Sequence, residues 1–73
     1  MQKQTFIDNM TERGYELKHS RNGNITATKG DIKVRYVPLA DYIVCVSTPT
    51  TTAITREGTT DEETLRVIDW LTA

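Results

Sequence analysis

From Tyr15 to Tyr36 the chain alternates apolar and polar residues in three short runs, and each gap between runs carries residues suited to a tight reversal. Tyr15-Glu-Leu-Lys-His19 places Tyr15, Leu17 and His19 on one face of an extended strand and Glu16 and Lys18 on the other. Arg21-Asn-Gly-Asn24 follows, and Asn-Gly favours a type I′ hairpin turn, in which both central residues take positive φ. Ile25-Thr-Ala-Thr28 returns, Lys29-Gly-Asp31 reverses again, and Ile32-Lys-Val-Arg-Tyr36 sets Lys33 and Arg35 opposite to Ile32, Val34 and Tyr36. Parallel neighbours would need a crossover of about a dozen residues or more, so gaps this short dictate an antiparallel meander.

The flanking segments complete the expected fold. Residues 3–13 read as a helix with Phe6, Ile7 and Met10 in one arc, closed by Gly14. After a loop at Pro38-Leu-Ala-Asp41, Tyr42-Ile-Val-Cys-Val46 is apolar without alternation, so either Ile43 and Cys45 or Tyr42, Val44 and Val46 face away from the core. Residues 48–60 hold seven threonines in thirteen positions. Thr48-Pro-Thr-Thr51 has turn chemistry, while Thr52-Ala-Ile-Thr-Arg56 is rich in β-branched residues and reads as an edge strand, with a disordered linker as the competing reading. Thr60 with Glu63 fits a helix capping box, and Asp61, Glu62 and Glu63 set negative charge against the positive end of the helix dipole. Leu65, Val67, Ile68 and Leu71 form the apolar stripe of this last helix, with Trp70 at its margin. The expectation is an α+β fold: helix, antiparallel β-meander of four to five strands, helix, with both helices on one face of the sheet and residues 1–73 as a single domain.

Seventy-three residues with one cysteine cannot close an intramolecular disulfide, and with one histidine they offer too few ligands for a structural zinc, so no metal or cofactor is expected. Packing or self-association must stabilise the chain. No stretch approaches the roughly 20 apolar residues of a membrane span, and the first residues lack an apolar leader; the expected location is the cytoplasm. Net charge is −1, distributed unevenly. Residues 13–35 carry six basic and two acidic side chains (6 − 2 = +4), and residues 36–73 carry two basic and six acidic ones (2 − 6 = −4).

No phosphate-binding loop, dinucleotide fingerprint, zinc-protease helix or nucleophile elbow is present. His19 and Cys45 are the only nucleophile and base pair on offer, and they meet only if strand parity puts them on one face. Asp61, Glu62 and Glu63 are consecutive on a helix and diverge, which suits capping better than metal binding. The more informative feature is the sheet face carrying Lys18, Lys33 and Arg35, joined by Ile43 and Cys45 if the fourth strand turns them outward. Cations around an apolar strip resemble a protein interface, where rim charge steers encounter and the strip is desolvated.

The helix, strands, helix order is reminiscent of double-stranded RNA-binding domains and of small HicA-type toxin ribonucleases. Arg13-Gly-Tyr-Glu-Leu17 and Thr64-Leu-Arg-Val-Ile68 are similar to stretches of the toxins. The glycine-flanked histidine of those toxins has no counterpart here, and the lysines that open the last helix of the RNA-binding domains are replaced by Asp61, Glu62 and Glu63, so the likeness assigns no function. Small chains of this style are common among phage and mobile-element accessory proteins. The mixed basic and apolar face and the lack of an assembled catalytic set make the expected role a non-enzymatic regulatory module, such as a phage or mobile-element accessory protein, that inhibits or redirects a larger host protein. Its contacts would be Lys18, Lys33, Arg35, Ile43 and Cys45, with self-association through the sheet face or edge strand as the simpler variant. The alternative is a nucleic-acid-binding domain with Arg21, Lys29, Lys33 and Arg35 on phosphates. A small nuclease built on His19 is the enzymatic reading.

Overall fold

A computed structural model describes residues 1–37, 42–56 and 58–72, with the side chains of Tyr42, Ile43 and Arg56 also outside the description. The elements run α1 (Lys3–Glu12), β1 (Glu16–His19), β2 (Ile25–Lys29), β3 (Ile32–Tyr36), β4 (Tyr42–Ser47), β5 (Thr52–Arg56) and α2 (Asp61–Leu71). All five strands form one antiparallel sheet in sequential order. The loop expected at residues 38–41 lies outside the described residues. The threonine-rich stretch does build a strand, β5, paired along its length with β4.

Cross-strand register sorts the side chains into two faces, because residues directly opposite on a ladder point the same way. One face carries the rows Leu17, Ala27, Val34, Val46, Ala53 and His19, Ile25, Tyr36, Val44, Thr55. Ile25, Ala27, Val34, Tyr36, Val44 and Val46 on this face join Phe6 and Met10 of α1 and Ile68 of α2 in one buried cluster, so both helices cover the same side of the sheet. Each buried Val, Ile, Phe or Met among them contributes about 1.5–3 kcal/mol. Phe6 stacks on Tyr36 with ring centroids 5.3 Å apart, and the Tyr36 hydroxyl donates to the Met1 carbonyl at 3.2 Å.

The helix ends follow from local chemistry. At the C-terminus of α1 the Tyr15 N–H donates to the Met10 carbonyl and the Gly14 N–H to that of Thr11, both at 3.0 Å. This double closure needs a left-handed residue, and Gly14 supplies φ +84°. Thr60 caps α2 by accepting from the Glu63 N–H at 3.1 Å. The buried Thr64 hydroxyl returns a bond to the Thr60 carbonyl at 3.0 Å.

Two expectations need correction. The turn after β1 is not type I′, since no residue other than glycine has positive φ among those described. The Ser20 N–H instead donates to the Asn24 carbonyl and the Gly23 N–H to that of Ser20, a three-residue connection whose last position, Gly23, takes φ +86°. One extra loop residue moves the glycine from the second turn position to the bulge position. Trp70 is not at the edge of the core stripe but 76% exposed. The buried line of α2 is Thr64–Ile68, and a residue two positions beyond Ile68 lies about 200° around the helix.

Phe6→Ala should cost about 3–5 kcal/mol, a large part of a small domain's stability, read as a lower urea midpoint. Gly14→Ala should cost about 1–2 kcal/mol from the left-handed backbone alone. An unchanged midpoint in either variant would contradict the packing or the closure described.

Candidate interaction surface

The opposite face of the sheet carries a row Lys18, Thr26, Arg35, Cys45, Ile54 and a second row Glu16, Thr28, Lys33, Ser47, Thr52. None of these ten side chains is buried; Lys18, Lys33, Arg35, Glu16, Thr52 and Ile54 are exposed and the rest half-buried. The parity of β4 is thereby decided: Val44 and Val46 enter the core and Cys45 turns outward. A register shift between Tyr42 and Val44 leaves β4 with one residue more than β5 opposite it. The expected contact Ile43 falls at that shift, and its side chain lies outside the described residues.

Arg35 and Lys33 sit on the same strand two residues apart, and Lys18 shares Arg35's row two strands away. Among the described residues none of the three has an ion-pair partner. Among the described residues of this face, three unpaired cations thus stand against one carboxylate, that of Glu16. Toward Cys45 and Ile54 the row becomes apolar, and Ile54 is 44% exposed. A shallow groove runs along the β1 side of the face, lined by Glu16, Lys18, His19, Ser20, Thr26, Thr28 and Lys33. Across the molecule, Asp61, Glu62, Glu63 and Asp69 are exposed on α2. The charge asymmetry along the sequence becomes a cationic sheet face backed by an acidic helix.

The remaining candidates separate. Lys29 does not belong to the cationic face: its ammonium donates to the Arg13 carbonyl at 2.9 Å and lies 5.6 Å from the Tyr15 ring centroid. As the partner of Ile32 it has the parity of the core face, where it closes the end of α1. Arg21 is exposed in the β1–β2 turn. His19 pairs with Ile25 on the core parity, whereas Cys45 pairs with Arg35 on the other face and lies three strands away, about 14 Å by strand spacing. The two do not form a dyad.

A contact that sequence reading missed joins the two helix ends. The Arg13 guanidinium donates to both carboxylate oxygens of Asp69, at 2.7 and 3.0 Å. Fifty-six positions separate the pair, and no local pattern signals it. Arg13, Asp69, Tyr15, Lys29, Gly30, Ile32 and Thr72 line a cleft between the helix ends and the β2–β3 turn. The hydrogen bond from Arg13 holds the Asp69 carboxyl below its ordinary range, partly opposed by desolvation.

No family model matches the chain, and neither the curated proteins nor the solved structures searched returned a match.

Because the Asp69 pKa is depressed in the fold, its contribution is present above the ordinary carboxylate range and fades as pH falls through the lower folded value. Both partners are partly exposed, so Asp69→Asn should cost only about 0.5 kcal/mol near neutrality. Unfolding curves of the two proteins should converge below about pH 4. A difference that instead widened on acidification would exclude the ion pair as its source.

Proposed function

We propose that the chain is a non-enzymatic binding module that docks its bare sheet face on an acidic surface of a larger protein and thereby inhibits or redirects it. The reading is carried by one observation: the row Lys18, Thr26, Arg35, Cys45, Ile54 faces solvent as a cationic strip grading into an apolar one. Unpaired cations on a rigid sheet draw an acidic partner by long-range attraction, and the Cys45 and Ile54 end supplies area to desolvate on contact. Lys33 widens the cationic half, while Lys29, occupied at the end of α1, takes no part.

A second reading, nucleic-acid binding, is favoured by the groove in which Lys18, His19 and Lys33 lie beside the hydroxyls of Ser20, Thr26 and Thr28. Cations and hydroxyl donors together suit phosphate oxygens. Among the described residues no Phe, Tyr or Trp lines that groove, and His19 is the one ring there to stack on a base.

Charge reversal tests the face, and nuclease treatment separates the two readings. Lysate of the source cells is passed over immobilised wild type and a Lys33→Glu, Arg35→Glu variant, with and without nuclease. On the first reading a protein partner survives nuclease and its affinity for the variant falls about tenfold or more, roughly 1.4 kcal/mol. Capture that the reversal leaves untouched would end the face proposal, and loss of all captured material on nuclease treatment would transfer the site to nucleic acid.

A further inference from the structure

Among the described residues, sequential strand order leaves the sheet with two open edges, β1 and β5, and they are unlike. β1 has four residues, with Glu16, Lys18 and His19 all exposed, the kind of short and charged edge that discourages pairing with another strand. β5, Thr52-Ala-Ile-Thr-Arg56, has no charged residue before its last position and no proline, and it carries the exposed Ile54.

Its backbone is also set for pairing. The Thr48 N–H donates to the Thr51 carbonyl at 2.8 Å, the bond of a hydrogen-bonded pair in an antiparallel ladder. Such pairs alternate with non-bonded ones. With Thr48 opposite Thr51 bonded, Ala53 and Thr55 turn their N–H and C=O groups toward β4, whereas Thr52 and Ile54 turn theirs to the open edge. Among the described residues neither Thr52 nor Ile54 has a hydrogen bond outside the β4 ladder.

We propose that the chain forms a symmetric dimer in which β5 pairs antiparallel with β5 of a second copy, about a two-fold axis at Ile54, joining two five-stranded sheets into one. A two-fold contact uses the same patch on both copies, and this edge is self-complementary. Ile54 of each copy exchanges N–H and C=O bonds with Ile54 of the other, Ala53 stands opposite Thr55, and Thr52 opposite Arg56, so no like charges are opposed. On the bare face the two Ile54 side chains become neighbours and cover each other. A chain with no disulfide and a small core gains a second source of order. Five paired residues bury less than the roughly 1,200 Å² of a standard stable interface, so the dimer is in dynamic, concentration-dependent equilibrium with monomer.

The dimer does not rest on the proposed partner and is measured in its absence. Sedimentation of the purified full chain over a concentration series should give a weight-average mass rising from monomer toward twice that value. Ile54→Lys, which sets two ammonium groups side by side on the axis, should hold the chain at monomer mass across the series. Ile54→Pro removes the outward N–H together with the isoleucine side chain, leaves the β4 ladder bonds in place, and should do the same. Circular dichroism matching the wild type confirms that each variant is folded, and Lys33→Glu, distant from the edge, should leave dimerisation unchanged. A wild type that stays monomeric at the highest concentration overturns the proposal. So does a dimer that survives both Ile54 variants, or one that Lys33→Glu abolishes while Ile54→Lys does not.

Discussion

Residues opposite one another across an antiparallel ladder share a face, and in this meander that rule operates through five strands in series. Once Val34 is committed to the core, Ala27 and Val46 beside it are committed too, and with them Leu17 and Ala53. The neighbouring row through Ile25, Tyr36 and Val44 follows, and α1 and α2 settle over those two rows. A slip of one residue in any ladder would turn an entire strand over. The same constraint that fills the core therefore presents Lys18, Arg35, Cys45 and Ile54 together on the reverse side, with no added interaction needed to align them.

Much of this architecture was legible because strand periodicity is a local signal. The runs from Tyr15 to Tyr36 each state their own parity, and Thr60, Gly14 and the acidic start of α2 announce helix ends through chemistry confined to a few residues. The strand Tyr42–Ser47 could not be oriented in the same way, since apolar residues on both parities carry no preference. Only pairing with β3 places Val44 opposite Tyr36 and so turns Cys45 away from His19. Lys29 is exposed beside its turn, as a cation there reads from sequence, but nothing nearby in the chain reveals that the Arg13 carbonyl at the end of α1 lies within its reach. The Arg13–Asp69 contact depends on how two helices converge, which no window of sequence contains.

The distribution of charge adds a second layer to the geometry. Cations on one outer surface and carboxylates on α2, three of them ion-paired, set charges of opposite sign on opposite sides of a molecule whose net charge is −1. At physiological salt the screening length is about 8 Å, so the two poles act on what approaches each side separately. An encounter is thus oriented by the side presented and not by total charge, and a pI near 5.7 says little about which surfaces attract.

Trp70, the single tryptophan, is largely in solvent on the far side of α2. An indole already hydrated in the native state has little environment left to lose, so its emission would shift hardly at all when the chain melts. The optical signature of the assembled core instead belongs to the stacked Phe6 and Tyr36 rings, held in a fixed asymmetric setting and visible as near-ultraviolet dichroism. An indole whose emission does not report unfolding is, by the same token, a sensitive reporter of anything that settles on that helix.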